Sequence, residues 1–426
     1  MGSICRVSTA DELLAALSQH TSIIEVVGVI AGMPSITLPP GTELRGGTLR
    51  FGGPGVKVTT DNSIRDISIE TALTEIAIKS DSTVDSLGTL CMENIKSIGQ
   101  IAVIAKNSLR SGHIVAKNVW VQQADLRGRE RRPNGYGVDV LQGAFTIWNT
   151  HSSPETLITA TLENISAGTA KTPVRGSGIF VAGGAFHDGG KFTADLITTG
   201  EIIIDGGITL GTPDIISGGV FVLSSAIVEN VINMGPVTSH GPNDMVLDNW
   251  GTVTKWEAQR PITSTGASGI GFVNFGDITT LKVNAPIVTT GPGARGFNLY
   301  DGSLLSAVFE SIATTGDGSI GVQISKPMGE ITILGNLTTT GSVGTSLVKG
   351  HQLVLSADAL SIKQGGSLGA LKVGGNISTS GDSVTTIELQ GPIDRISITG
   401  EILTSGQGST AFVGEDNRIS EILSKH

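Results

Sequence analysis

Residues 271–291 read GFVNFGDITTLKVNAPIVTTG, and residues 296–316 read GFNLYDGSLLSAVFESIATTG. The two segments align without a gap at a spacing of 25. Each holds three short β-like runs closed by Gly, Asn, Asp or Pro. In the first they are Gly271–Gly276, Ile278–Val283 and Pro286–Gly291, and no helical periodicity interrupts them. The closing glycine recurs at Gly241, Gly266, Gly291, Gly316 and Gly341, always 25 apart. The next interval, Gly341 to Gly381, is 40, one period plus 15 residues, and Gly406 restores the spacing of 25. Upstream, Gly207 to Gly241 is 34, one period plus nine. Extra residues are therefore expected at turns near 208–216 and 351–365. Three strands per period, with connections too short for crossover helices, predict a parallel β-helix. Each strand then pairs with its equivalent one coil away, about 4.8 Å along the axis. A propeller blade needs four strands and roughly 40 residues, and the leucine-rich consensus is absent.

Composition agrees with an all-β chain. Glycine accounts for 59 of 426 residues, about twice its usual share. Only 15% of residues are charged and 4% aromatic. The net charge of −10, without a long basic run, argues against nucleic acid as a partner. No apolar stretch reaches the ~18 residues of a membrane span. Met1 to Arg6 lacks the apolar core of a secretory signal, so a cytoplasmic protein, or a secreted one already relieved of its signal, is expected. Two cysteines, Cys5 and Cys91, are too few for a disulfide framework.

Residues 1–40 read as a cap. Ser8 is a suitable N-cap, Asp11 and Glu12 sit in the first turn, and Leu13, Leu14 and Leu17 share one face of a helix. The apolar run Ile23-Ile24-Glu25-Val26-Val27-Gly28-Val29-Ile30 follows, and then the Gly46-Gly47 turn. This entry resembles that of the pectate-lyase-like right-handed parallel β-helix superfamily. The resemblance implies a single-domain, three-faced, right-handed coil over residues 41–426, capped by the N-terminal helix. The superfamily's Trp-x-Asp-His and Arg-x-Pro-x-x-Arg blocks are missing, so no catalytic set is carried over. Its members include lyases, hydrolases, epimerases, transferases and adhesins, and fold alone does not choose among them.

Alternation along the first strand of each coil separates inward from outward positions. Phe272 and Phe297 stand in one column and are read as inward. Asp248, Val273, Asn298 and Gln323 stand in the next column and are expected to face out. Asn249 above Asn274 suggests an amide ladder between coils. Trp250, Phe275 and Tyr300 then fall in register on three successive coils, on the outer side. Aromatic rings beside carboxylates and amides suit a sugar. A subunit interface or a covering loop would equally account for them. Paired carboxylates are the minimum equipment for glycoside hydrolysis or transfer. Asp248 is the candidate acid or nucleophile, with Asp301 or Asp139 as its partner. Trp250 and Tyr300 are candidate sugar platforms. Asn298, Arg295, Asp244, Lys326 and His187 are further substrate-binding candidates. Lys326 could neutralise a uronate, and His187 lies beside Asp188. The basic segment 127–136 could grip an anionic polysaccharide.

No nucleotide fingerprint or His/Cys cluster is found, so no cofactor is expected, Ca²⁺ being the one cation that outward Asp and Asn would suit. The expected function is a carbohydrate-active enzyme of the glycoside hydrolase or transferase type. The alternatives are a non-catalytic homotrimeric adhesive rod and a polyuronate lyase or epimerase.

Overall fold

The computed structural model describes residues 4–129, 133–184, 188–348 and 351–424. They gather in two compact units: residues 1–131, 141–204 and 221–230 in one, and 132–140, 205–220 and 231–426 in the other. Both consist mainly of strands paired in parallel, up to 14 residues long in the first unit, compatible with a β-helix. Two helices are present among the described residues, Ala10–Ser18 and Asn417–Leu423, and neither is long and apolar enough to cross a membrane.

The first unit opens on the expected helix, but its N-cap is Thr9 rather than Ser8. The Thr9 hydroxyl accepts from the Glu12 amide, and the Glu12 carboxylate accepts from the amides of Thr9 and Ser8. This reciprocal capping box satisfies donors that a helix start leaves open. Leu13, Ala16 and Leu17 are buried, so the apolar stripe covers the first strands. Further along, Asp66, Asn94, Asn118 and Asn164 each occupy the left-handed region at φ between 50° and 55°. Their side chains form a ladder, each asparagine amide donating to the preceding member at 2.8–3.0 Å. Short polar side chains tolerate that backbone, and the ladder offsets its strain.

The second unit displays the repeat directly. Ile262 pairs with Ile287, then Ile312, Leu337, Ile377 and Ile402. All six are buried, forming one internal apolar column. Each such side chain contributes roughly 1.5–3 kcal/mol on leaving water. Two residues further on, Ser239, Ser264, Thr289, Thr314, Thr339 and Thr379 form a buried hydroxyl column. The expected amide ladder is present: Asn249 donates to Asn274 at 2.8 Å.

The marker glycines have a steric cause. A Cβ on Gly266 would lie 1.7 Å from the carbonyl oxygen of Gly241, and one on Gly291 would lie 1.9 Å from that of Gly266. The same contact recurs up to Gly406. Backbones of successive turns touch there, and no side chain can be interposed. The extra residues between Gly341 and Gly381 include an antiparallel hairpin, Gly344–Val348 with His351–Leu355. Beyond it the parallel register resumes, with Leu337 opposite Ile377.

Candidate functional site

The site is built on four consecutive strands of the second unit: Asp244–Asn249, Ile270–Asn274, Arg295–Leu299 and Ile320–Ile324. One side is core. Phe272 packs on Trp256 at a centroid distance of 5.1 Å, and Phe297 on Phe309 at 5.0 Å. Strict alternation would put Arg295 on the same side as Phe297. Arg295 instead lines a pocket with Met245, Ile270 and Asn298. The break falls at Gly271, Gly296 and Gly321. A Cβ on Gly296 would lie 2.3 Å from Ile312 Cγ2 and 2.6 Å from the Gly321 carbonyl. Only glycine fits at this position, and the residues just before two of these glycines, Ile270 and Arg295, line the pocket.

The other side of these strands is not open to solvent. Asp248, Val273 and Asn298 are fully buried and Gln323 nearly so, contrary to the expectation that this column is exposed. The cover comes from excursions of the same chain. Hairpin strands Asn134–Gly135 and Val138–Val140 lie against Ile215 and Ile216. Asn243 Nδ2 donates to the carbonyls of Thr212 and Ile215, and the Tyr136 hydroxyl donates to the Phe275 carbonyl at 3.1 Å. The Ser346 hydroxyl donates to the Gly293 carbonyl at 2.7 Å.

The aromatic residues do stack in register. Trp250 and Phe275 lie 5.9 Å apart by centroids, and Phe275 and Tyr300 lie 4.8 Å apart and stacked. Tyr136 completes the column, 5.1 Å from Trp250 and 4.4 Å from Phe275. It came unannounced, because its place depends on a contact made across more than a hundred residues of chain. Trp250 is 4% exposed, while Phe275, Tyr300 and Tyr136 are half-buried.

The candidate carboxylates are dispersed. Asp248 is wholly buried; its Oδ2 accepts from Trp250 Nε1 at 3.1 Å and its Oδ1 has no partner. Burial pushes this carboxyl well above the usual range, so the neutral acid is favoured. Asp244, first residue of its strand, is also fully buried, accepting from the Ser217 hydroxyl and from the amides of Gly241 and Gly206. Burial raises it to about 7 against the pull of those donors. Asp301 is half-buried and ion-paired with Lys326 at 3.1 Å, so that lysine is already engaged. Asp139 lies in the covering hairpin, accepting from Asn134 Nδ2, and not on a coil strand. Asp248 and Asp301 belong to coils two apart, about 10 Å along the stacking direction. His187 and residues 130–132 of the basic segment lie outside the described residues.

The pocket itself is lined by Tyr136, Ile216, Met245, Ile270, Arg295, Asn298 and Tyr300, among others, and offers about 80 Å³ to the centres of water-sized spheres. That is room for a few water molecules or one small chemical group. Arg295 is 3% exposed and has only neutral partners. Its Nε donates to Gln323 Oε1 at 3.1 Å, and its Nη1 donates to the Ser346 hydroxyl at 3.2 Å and, more loosely, the Gly293 carbonyl at 3.4 Å. Burial lowers this guanidinium to about 10, which still leaves it charged at neutral pH. Both side-chain polar atoms of Asn298 are buried without a partner. No group of three or more His, Cys, Asp or Glu able to hold a metal occurs among the described residues. Comparison with protein-family models, curated proteins and solved structures found no match.

Proposed function

We propose that this chain is a right-handed, three-faced parallel β-helix of the pectate-lyase-like kind, and that it engages a carbohydrate at the aromatic column of its second unit. The supporting observation is the stack of Phe275 on Tyr300, with both rings half-buried and the Asp301–Lys326 pair on the coils beside them. Half-open rings offer apolar faces to sugar C–H groups, and the rim charges offer hydrogen bonds to hydroxyls. Trp250 is covered within a single chain, so a neighbouring subunit is not needed to shield it.

In its catalytic form the proposal gives Asp248 the role of proton donor, since burial favours its neutral acid, with Asp301 as the partner carboxyl. Acid–base chemistry on a glycosidic bond requires a pair of carboxyls. Recognition rests on the rings, and turnover on the buried Asp248 that accepts from Trp250. A glycan library screened for binding and for product formation tests both. Tyr300→Ala is expected to weaken any binder by about tenfold, the loss of one good ring contact. Asp248→Asn is expected to abolish turnover and spare binding. A library without a binder, or a binder indifferent to Tyr300→Ala, would remove the carbohydrate reading. Unchanged turnover in Asp248→Asn would remove the acid assignment.

A further inference from the structure

We propose that the pocket over Arg295 and Asn298 is a binding site for a single carboxylate group carrying a neighbouring hydroxyl. The pocket shares Tyr136, Phe275 and Tyr300 with the aromatic column, but the inference rests on Arg295 and Asn298 and not on glycan engagement at those rings.

Arg295 supplies the first half. A guanidinium withdrawn from water costs several kcal/mol unless an anion compensates it. Among the described residues no carboxylate pairs with Arg295; its hydrogen bonds run to an amide oxygen, a hydroxyl and a backbone carbonyl. Among the described residues its hydrogen bonds run from Nε and Nη1 and none from Nη2, and the residue lines the pocket. The three neutral contacts fix the guanidinium plane and leave one edge to an incoming group. A planar fork of N–H donors matches a carboxylate.

Asn298 supplies the second half. Nδ2 and Oδ1 are both buried and unpaired, and the side chain lines the same pocket. An unsatisfied buried polar atom costs about 1–3 kcal/mol, and here there are two. A carboxylate oxygen would satisfy Nδ2. Oδ1 needs a donor, which a hydroxyl on the adjacent carbon provides. One cation calls for one negative charge, which disfavours a phosphate dianion. The remaining wall is largely apolar, with Ile216, Met245, Ile270 and Val138, and also carries Asn243 and Ser268. The space suits a group of this size and not an oligosaccharide. The carboxylate could be borne by a free hydroxy acid or by an acidic sugar residue.

The test is thermal denaturation and titration calorimetry of the full chain with lactate, glucuronate and acetate, using sulfate at matched ionic strength as control. Lactate or glucuronate is expected to raise the melting temperature with a saturable dose dependence, and acetate less. A response to lactate alone identifies a free acid, and one to glucuronate alone an acidic sugar. Arg295→Met is expected to weaken binding by at least about tenfold while leaving the protein as stable or more stable, because an uncompensated buried charge has gone. A purely structural arginine would instead be missed on removal. Asn298→Leu is a second variant that keeps Arg295, and it is expected to lose the preference for lactate over acetate. No response to any acid, a response equalled by sulfate, or an unchanged response in both variants would overturn the site. A neutral glycan that binds while every acid fails would overturn this inference and leave the carbohydrate reading standing.

Discussion

Asp244 and Asp248 are carboxyls that folding takes entirely out of water, and the consequence is a pH dependence with a definite sign. Both are raised in the folded protein, by burial above all. An unfolded aspartate titrates near 3.9, so the folded state holds its protons to higher pH. The favourable contribution is complete below about pH 4 and is lost as pH rises, through about 7 for Asp244. The denaturation midpoint of the protein is therefore expected to fall between pH 4 and pH 7. Asp248→Asn keeps an acceptor for Trp250 Nε1 and removes one titration. It is expected to flatten the fall and to be more stable than the parent protein at pH 7. Urea denaturation of both proteins across that range measures it; parallel pH profiles would contradict the burial of Asp248. Alternation in the sequence says which side of a strand Asp248 occupies. It does not say what covers that side, and the covering residue Tyr136 lies far away in the chain. Arg295 was harder still to place, because Gly296 breaks the alternation that would have assigned it to the core. The recurrence of glycine at 271, 296 and 321 was the available signal.

At the scale of elements, the covering hairpin around Tyr136 has no partner within its own sequence that would announce its position. Besides its strand pairing with Ile215 and Ile216, the hairpin is attached by the Tyr136 ring packed on two others and its hydroxyl on a carbonyl. Aromatic pairs contribute about 0.5–1.5 kcal/mol each beyond area burial, so Tyr136→Ala is expected to cost about 1–3 kcal/mol. It should also shift tryptophan emission to the red as Trp250 meets water. Tyr136→Phe keeps the rings and loses only the hydroxyl bond, a cost of about 1 kcal/mol. Chemical denaturation monitored by fluorescence separates the two; equal losses would assign the hairpin's attachment to the hydroxyl rather than the rings. The N-terminal helix was readable because its signals are local: an acidic first turn and an apolar stripe. Its cap was misplaced by one residue, since Ser8 and Thr9 are both competent and only the reach of Glu12 decides between them. The hairpin at 344–355 could be located only as an excess over the repeat, and its strand pairing had no periodicity to reveal it.

At the scale of the whole molecule, the period was the most legible feature, because one steric contact writes it into the sequence. Carbonyl against glycine, turn upon turn, leaves no freedom in residue type, and the spacing follows from it. The ladder of Asp66, Asn94, Asn118 and Asn164 was missed for the opposite reason: its spacings of 28, 24 and 46 are irregular, as the coils there vary in length. Stability in such stacks is close to a sum of nearest-neighbour terms. Removing residues 382–406 deletes one complete period and joins Gly381 to Gln407. The five residues that separate Thr379 from Thr385 are then replaced by five between Thr379 and Thr410, so the strand Thr410–Val413 keeps its phase. The shortened protein is expected to fold with an unchanged type of circular dichroism spectrum and a smaller denaturant slope, since less surface is buried. Removing 383–406 instead leaves one residue too many, which turns each following side chain to the opposite face of its strand. That protein is expected to lose protection of its C-terminal segment against proteolysis, because the apolar positions of the last strand no longer meet the column beneath them. Equal protease resistance in the two deletions would show that vertical register does not govern the stacking of these coils.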